Sequence, residues 1–188
     1  MTGPGTVHDE PIDAETLLSS PRYRWRHELE SGRLVAREPT GDLHAIVVIN
    51  VGHALQTFAA QAQMPVRVLG GEPGFILARD PDTVRAPDLA VLLGERAVMA
   101  GTFGGFVPGP PDLAVEVRSP RDSRAAHLDR AGMWLAAGAK EAWLVDPGAR
   151  GVHIVSRVRR SQILAEDGTL TGGPLLPGLE VQVRAFFL

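Results

Sequence analysis

Apolar and polar residues alternate most regularly between residues 109 and 120. Leu113, Val115 and Val117 occupy every second position, as on one face of a β-strand. The opposite face carries Asp112, Ala114, Glu116 and Arg118. This alternation predicts a strand that turns one face to the core and gathers two acids and a base on the other.

Two longer segments predict helices. In residues 42–62 a run of β-branched residues favours a strand, but apolar positions recur at helical spacing throughout, so a helix is predicted. His44 falls in its first turn and is either a site residue or a polar group at a helix end. A second helix, of about 15 residues, is predicted after Ser123 and should end at Gly138. Its expected buried stripe is Ala125, Leu128, Ala131, Gly132, Leu135 and Ala136.

The shorter apolar runs predict further strands. One hairpin should turn at Ser31 and Gly32, and a second should join residues 66–69 to 74–77. Other strands are predicted at 86–93, 141–146 and 151–156. Strands and helices in this order indicate an α+β or α/β fold, in which helices flank a mixed, curved β-sheet.

The composition is that of a soluble globular chain. It has 188 residues, of which 44% are hydrophobic and 22% charged, enough for one domain, so we expect an N-terminal extension at 1–20 and a single domain at 21–188. A net charge of −3 leaves any attraction for nucleic acid to a local patch. No cysteine, leader or membrane-spanning run is recognised, which predicts a cytoplasmic protein without membrane contacts.

The pentapeptide P-D-L-A-V occurs twice, at residues 87–91 and 111–115. Proline suits the first position of a strand, because it cannot donate a ladder hydrogen bond. Two strands entered in this way could lie side by side, so that Asp88 converges with Asp112 or Glu116. Glu116 and Arg118, roughly 6–7 Å apart, could then serve a metal and a phosphate, or could be an ordinary surface charge pair.

A Pro-Asp strand followed by an acid-x-base strand resembles the PD-(D/E)XK nuclease superfamily, which has the restriction-endonuclease-like fold. Here the elements are Pro87-Asp88 and Glu116-Val117-Arg118. The wider context includes the segment H-E-L-E-S-G-R-L-V at 27–35, His44 at a helix start and A-A-G-A-K-E-A-W-L-V-D-P at 136–147. From about Tyr23 to Ile154 the chain resembles the Uma family, a group of bacterial proteins in that superfamily.

This resemblance implies a Mg²⁺- or Mn²⁺-dependent endonuclease that hydrolyses phosphodiester bonds in DNA. Asp88 and Glu116 would hold the metal, which would lower the pKa of a bound water and offset charge on the phosphate. Glu28 would be a further ligand or a partner of a metal-bound water, and His44 matches a histidine of the first core helix. Asp112 lies about 13 Å from Glu116 along the strand, so capping of the strand entry is favoured over a ligand role. The restriction-enzyme relatives suggest a homodimer, with Phe103, Phe106 and Val107 as contact residues.

The superfamily's catalytic lysine is missing. Its strand position is Arg118, and the matching position on the following helix is Arg130. Arginine stays protonated, so it can stabilise charge on a phosphate but is a poor general base. Lys140 lies elsewhere, in a loop where we expect it to face solvent. A second hypothesis is therefore a non-catalytic module that keeps the nuclease fold and binds nucleic acid or protein.

Other polar and aromatic residues carry open or simpler interpretations. The arginines at 22, 24 and 26 are either a nucleic-acid-binding patch or the solvent-exposed face of an edge strand. Those at 157, 159 and 160 either contact phosphate or discourage edge-to-edge pairing of the sheet. Trp134 and Trp143 lie in apolar patterns and are expected in the core. His127 and Asp129 are expected on the exposed face of their helix.

Overall fold

The computed structural model describes residues 11–23 and 27–188. The helices in these residues are α1 (Ala14–Ser19), α2 (Asp42–Gln61), α3 (Gly94–Met99) and α4 (Arg124–Ala137), with a 3₁₀ helix at Val183–Phe187. The strands are β1 (His27–Glu30), β2 (Arg33–Ala36), β3 (Val66–Gly70), β4 (Phe75–Ala78), β5 (Thr83–Arg85), β6 (Leu89–Leu93), β7 (Val107–Pro108), β8 (Leu113–Val117), β9 (Glu141–Asp146), β10 (Gly151–Ser156), β11 (Gln162–Leu164), β12 (Thr169–Thr171) and β13 (Glu180–Gln182). Arg24 and Arg26 of the predicted basic patch and residues 1–10 of the predicted extension lie outside the described residues.

The strands form a mixed α+β architecture, as predicted, but they are divided among three sheets within the described residues. A six-stranded sheet has the order β11-β10-β9-β8-β6-β3, and only its β8–β9 pair is parallel. A five-stranded sheet has the order β2-β1-β5-β4-β7, and β12 pairs with β13. The predicted neighbours β6 and β8 do pair, antiparallel, with Leu89 opposite Val115. This pairing brings the start of β6 to the end of β8.

Both faces of β8 are covered, which explains why all five of its residues are buried. Its apolar face packs in one core cluster with Val47, Val51 and Leu55 of α2. Ala114, on the other face, shares a second cluster with Trp134 of α4. The predicted core face of this strand is thus correct, and α4 covers the face that carries the acids.

The helix predicted at 42–62 is present as α2. Its buried stripe against the sheet outweighs the strand preference of its β-branched residues, a common tertiary override. By length and composition alone, α2 is also the one helix of the described residues that could cross a membrane. Val47, Val51 and Leu55 lie against the sheet, as in the core helix of a globular domain.

The second predicted hairpin is wrong. β3 pairs with β6 in the larger sheet, whereas β4 pairs with β5 and β7 in the smaller one. The segment between them carries the chain from one sheet to the other, with Gly71 and Glu72 both at positive φ (77° and 59°). A short turn-rich linker therefore does not by itself identify which strands pair.

The predicted buried stripe of α4 is also wrong in its phase. His127, Ala131 and Trp134 are the buried residues of this helix, whereas Leu128 is 46% exposed. Ser123 caps the helix by accepting a hydrogen bond from the Ala126 amide, and Gly138 ends it in the left-handed region, as predicted. The helix is rotated so that the large Trp134 ring and Ala131, rather than the leucines of the predicted stripe, form its buried face.

Candidate functional site

The ends of β6 and β8 open into a cleft of about 900 Å³. The first turn of α2, strand β2, α4 and the loop after β8 form its other walls. Five of the seven residues predicted from the sequence line this cleft: Glu28, His44, Asp88, Glu116 and Arg130. The other two, Arg118 and Asp112, are not among the residues that line it.

Asp88 lies immediately before β6 and is held in place by the neighbouring strand. Its Oδ2 accepts a hydrogen bond from the Val117 amide at 2.7 Å and lies 3.2 Å from His44 Nε2. Burial alone would lower the pKa of His44, but the hydrogen bond and charge of Asp88 outweigh it and raise that pKa above its ordinary value. Both contacts use one oxygen, and among the described residues Asp88 Oδ1 accepts no hydrogen bond.

Glu116 is 6% exposed, which excludes the interpretation of its strand as an ordinary solvated face. Its Oε1 accepts a hydrogen bond from Trp134 Nε1 at 2.7 Å, and its Oε2 lies 3.9 Å from Arg130 Nη1. Burial, followed by the nearby charge of Asp88, raises the pKa of Glu116 to about 8. Without a bound cation, the Asp88–Glu116 pair therefore keeps one proton at neutral pH.

The two candidate arginines have different surroundings. Arg130 forms an ion pair with Asp122 and turns its other terminal nitrogen toward Glu116 in the cleft. Arg118 forms a two-point ion pair with Asp146 of β9, with contacts of 2.9 and 3.0 Å. Arg118 also donates to the Asp122 carbonyl, so it braces the loop after β8, whereas Arg130 lies beside Glu116.

Glu28 reaches the cleft from β1 but is already engaged by neighbouring groups. Its Oε1 accepts a hydrogen bond from the Ala86 amide at 2.8 Å, and its Oε2 lies 3.2 Å from Arg85 Nε. Its negative charge contributes, as the smallest of the identified causes, to the raised pKa of Glu116. Glu28 therefore links β1 to the segment that leads into Asp88.

Asp112 lies at the opposite end of β8 from Glu116. Its Oδ2 accepts a hydrogen bond from the Leu93 amide at 2.9 Å, and its Oδ1 lies 2.8 Å from Lys140 Nζ. Asp112 therefore joins the start of β8 to the end of β6 and to the residue before β9. Lys140 is half-exposed and paired with Asp112, so the chain's one lysine is held away from the cleft.

The sequence interpretation missed two polar contacts from α4. His127, expected to be exposed, is 5% exposed, and its Nε2 lies 3.1 Å from the Glu116 carbonyl oxygen. Burial lowers the pKa of His127, which favours a neutral ring that donates this hydrogen bond. Trp134 is in the core as predicted, but its hydrogen bond to Glu116 was not anticipated. The spacing 127–131–134 was the signal that could have identified this helix face.

Two arginines of the basic run at 157–160 make structural contacts that the sequence interpretation did not anticipate. Arg159 donates to both oxygens of the fully buried Glu141, at 2.7 and 3.0 Å. Arg157 donates to the Leu135 carbonyl at 2.9 Å. These two arginines therefore hold the segment after β10 against the start of β9 and the last turn of α4. Trp143, also in the core as predicted, donates to the same Glu141 at 3.1 Å.

The donor set of the cleft is compatible with Mg²⁺. Among the described residues no group of three or more His, Asp or Glu side chains is arranged to hold a metal. Mg²⁺ commonly uses only one or two carboxylates and completes its shell with waters and phosphate oxygens. Asp88 and Glu116 supply two hard carboxylates whose mutual repulsion a cation would relieve.

A mixed sheet with acids at the ends of two neighbouring strands is the arrangement expected of the restriction-endonuclease-like class of fold. The profile of the Uma2 family, described as "Putative restriction endonuclease", matches residues 14–184, and the chain belongs to this family. The family and fold predicted from the sequence are therefore confirmed.

A solved structure supports the same fold. The crystal structure of a "putative nuclease belonging to DUF820" from Anabaena variabilis ATCC 29413 matches with a TM-score of 0.74 and 18% identity. The match covers 94% of this chain and 98% of that one. No functionally curated protein matches the chain. Membership of the family supports a nuclease function.

Proposed function

We propose that this chain is an endonuclease that hydrolyses DNA phosphodiester bonds with Mg²⁺ or Mn²⁺. The observation that carries the proposal is the convergence of two buried carboxylates, Asp88 and Glu116, in one cleft. Such a pair is unfavourable without a counter-charge, because each acid destabilises the ionised form of the other. A structural role would not require this repulsion, whereas cation binding would relieve it.

In the proposed mechanism, Asp88 and Glu116 would hold the cation and Arg130 would contact the phosphate. When bound, the cation supplies a Lewis acid that lowers the pKa of a water and offsets charge on the phosphate. Arg130 stays protonated and stabilises negative charge that develops on the scissile group. Asp122 positions the guanidinium through its ion pair. His44 orients Asp88 from the first turn of α2.

The charge of the cleft supports a cation requirement. Six carboxylates line it against four arginines. The acids are Glu28, Glu38, Glu72, Asp88, Glu116 and Asp122, and the arginines are Arg37, Arg85, Arg121 and Arg130. Once Glu116 is ionised, Asp88 and Glu116 leave the cleft with an excess of negative charge that opposes a phosphate, because like charges placed together destabilise an interface. A divalent cation held by Asp88 and Glu116 would offset that repulsion.

A plasmid-nicking assay tests the proposal. Supercoiled DNA is incubated with the protein and Mg²⁺ or Mn²⁺, with EDTA as the cation-free control. We expect nicking by the wild type and none by Asp88→Asn or Glu116→Gln. The matched control is Asp129→Asn, which removes an exposed carboxylate from α4 next to Arg130. Nicking that persists in both site variants contradicts the assignment.

The second candidate is a non-catalytic binding module, and the position of the lysine favours it. Lys140 Nζ is paired with Asp112, so the cleft holds no lysine amine that could act as a general base. Titration calorimetry with Mn²⁺ alone separates the two functions. A degenerate site should show no binding that depends on Glu116. Mn²⁺ binding that is lost in Glu116→Gln contradicts the module and supports the enzyme.

We also propose that the protein acts as a cytoplasmic homodimer. One site cuts one strand, so cleavage of both strands is simplest with two copies. The residues expected at the contact do not form an exposed patch: Phe103 and Phe106 pack against the chain's own cores, and Val107 is buried in β7. The dimer would therefore use another surface. Sedimentation equilibrium at several concentrations tests it, and a mass of one chain throughout contradicts it.

A further inference from the structure

Helix α4 contacts Glu116 at two points. Trp134 Nε1 donates to the carboxylate oxygen Oε1 at 2.7 Å. His127 Nε2, seven residues earlier on the same buried helix face, lies 3.1 Å from the backbone oxygen of Glu116. One contact holds the backbone of the strand end, and the other holds its side chain. The helix therefore controls both the position of Glu116 and the direction of its carboxylate.

The indole that makes this contact has little freedom. Trp134 is fully buried, and its ring meets Phe75 of β4 edge to face, with ring centres 6.1 Å apart and planes at 85°. Ala131 lies in the same core cluster. A ring packed in this way presents its N–H in a fixed direction, because any rotation would displace close-packed neighbours.

We propose that Trp134 is a positioning residue for the cation site, which it prepares by occupying Oε1 of Glu116. This inference rests on the proposed function. With Oε1 bound to the indole, Oε2 is the oxygen left for another partner, and it lies 3.9 Å from Arg130 Nη1. Groups that hydrogen-bond to a metal-binding carboxylate fix its orientation, and their loss weakens metal binding.

The chain contains its own control for this role. Trp143 also donates its indole N–H to a buried carboxylate, that of Glu141, at 3.1 Å. Glu141 retains Arg159 and Ser156 as partners, and neither Trp143 nor Glu141 lines the cleft. Replacing either tryptophan with phenylalanine keeps an aromatic ring and removes one hydrogen bond. Only the Trp134 bond is directed at the proposed cation site.

Titration calorimetry with Mn²⁺, in the absence of DNA, tests the inference. We expect Trp134→Phe to weaken Mn²⁺ binding by about 10- to 100-fold, the range typical for the loss of such an outer contact. Trp143→Phe should bind Mn²⁺ as the wild type does. Equal affinity in Trp134→Phe and the wild type overturns the inference and leaves the proposed function intact. If the wild type itself does not bind Mn²⁺, the proposed function and the inference both fail.

A spectroscopic measurement keeps the inference testable if Trp134→Phe does not fold. The double variant Trp25→Phe/Trp143→Phe retains Trp134 as its single tryptophan, since the chain has three. A cation bound by the Glu116 carboxylate should alter the hydrogen bond that this carboxylate accepts from Trp134. Adding Mg²⁺ should therefore change the fluorescence emission of Trp134. The change should disappear when Glu116→Gln is added. The inference is overturned if Mg²⁺ leaves the Trp134 emission unchanged in a variant that calorimetry shows to bind Mg²⁺.

Discussion

His44 Nε2 lies 3.2 Å from Asp88 Oδ2, and both side chains are buried at the edge of the cleft. The two residues come from the first turn of α2 and from the segment just before β6. The contact therefore joins a helix to the entry of a strand, at the carboxylate proposed to hold the cation.

We expect this pair to be coupled in stability. A double-mutant cycle with His44→Gln, Asp88→Asn and the double variant should give a coupling free energy of about 1–3 kcal/mol, because a hydrogen bond to a charged group is lost. Urea unfolding of the four proteins at pH 6, without divalent cations, measures it. Strictly additive effects would show that the two side chains do not stabilise each other.

The raised pKa of Glu116 predicts a pH dependence of stability. Burial and the charge of Asp88 raise that pKa from an ordinary 4.5 to about 8. Between these values the folded protein keeps a proton that the unfolded chain has lost, so the free energy of unfolding falls as the pH rises. The fall should be on the order of a few kcal/mol between pH 5 and pH 8.5 in EDTA.

Urea unfolding across this pH range provides the measurement, with Glu116→Gln as the test variant. Glutamine can still accept the Trp134 hydrogen bond but cannot ionise, so most of the pH dependence should vanish. Asp129→Asn, on the exposed side of α4, should retain it. The pKa of His44 is also raised, so protonated His44 stabilises the fold at low pH. This contribution to the free energy of unfolding is also lost as the pH rises through the folded pKa of His44. A pH dependence unchanged in Glu116→Gln would contradict the assignment to this residue.

The two arginines should differ in what their removal affects. Arg130→Gln should reduce the nicking rate by about 100-fold or more, the usual effect of removing one group that stabilises transition-state charge. Arg130→Lys should retain more activity, because it keeps a cation at the helix position where the family resemblance expects a lysine. Single-turnover nicking rates with Mn²⁺ measure both effects.

Arg118→Gln provides the comparison for Arg130. Its guanidinium pairs with Asp146 and lies outside the cleft lining, so its loss should mainly lower the free energy of unfolding, by about 1–2 kcal/mol. Nicking rates at temperatures where the variant is folded should fall less than those of Arg130→Gln. A larger loss of rate in Arg118→Gln would reverse the roles assigned to these two residues.

The sequence predicted best those features that depend on local pattern. Alternation identified β8, and the repeated P-D-L-A-V identified β6 as its neighbour without fixing their relative direction, because each signal lies within a few consecutive residues. The phase of α4 was not predictable in this way. Apolar residues occur on two sides of this helix, and the choice between them depends on which side chains meet the sheet. The Trp134–Glu116 bond, between residues 18 positions apart, requires that packing to be known.

The pairing of β3 and β4 failed for a related reason. Their linker has the composition of a hairpin turn, but β3 gains a long antiparallel partner in β6, with five residue pairs from Val66 to Gly70. A choice between two partners is made by the burial of whole strands and not by turn residues. The sequence therefore located the acids, while their buried environment followed from tertiary packing.

The acidic cleft predicts that DNA binding itself depends on divalent cations. In EDTA at pH 9, where both Asp88 and Glu116 are ionised, these acids should oppose a phosphate, and a divalent cation held there should strengthen binding by at least about tenfold, equivalent to about 1.4 kcal/mol. Fluorescence anisotropy with a labelled duplex, at constant ionic strength, measures this ratio. Ca²⁺ replaces Mg²⁺ in the assay so that cleavage does not complicate the titration.

The double variant Asp88→Asn/Glu116→Gln makes the test specific to the cleft. It removes the two buried acids, so it should bind DNA more tightly than the wild type in EDTA and should lose the response to Ca²⁺. The control, Asp129→Asn/Glu180→Gln, removes the same number of acidic residues from exposed positions and should keep the Ca²⁺ response. Equal behaviour of the two double variants would assign the effect to net charge. A difference between them locates the repulsion, and its relief by a cation, at the ends of β6 and β8.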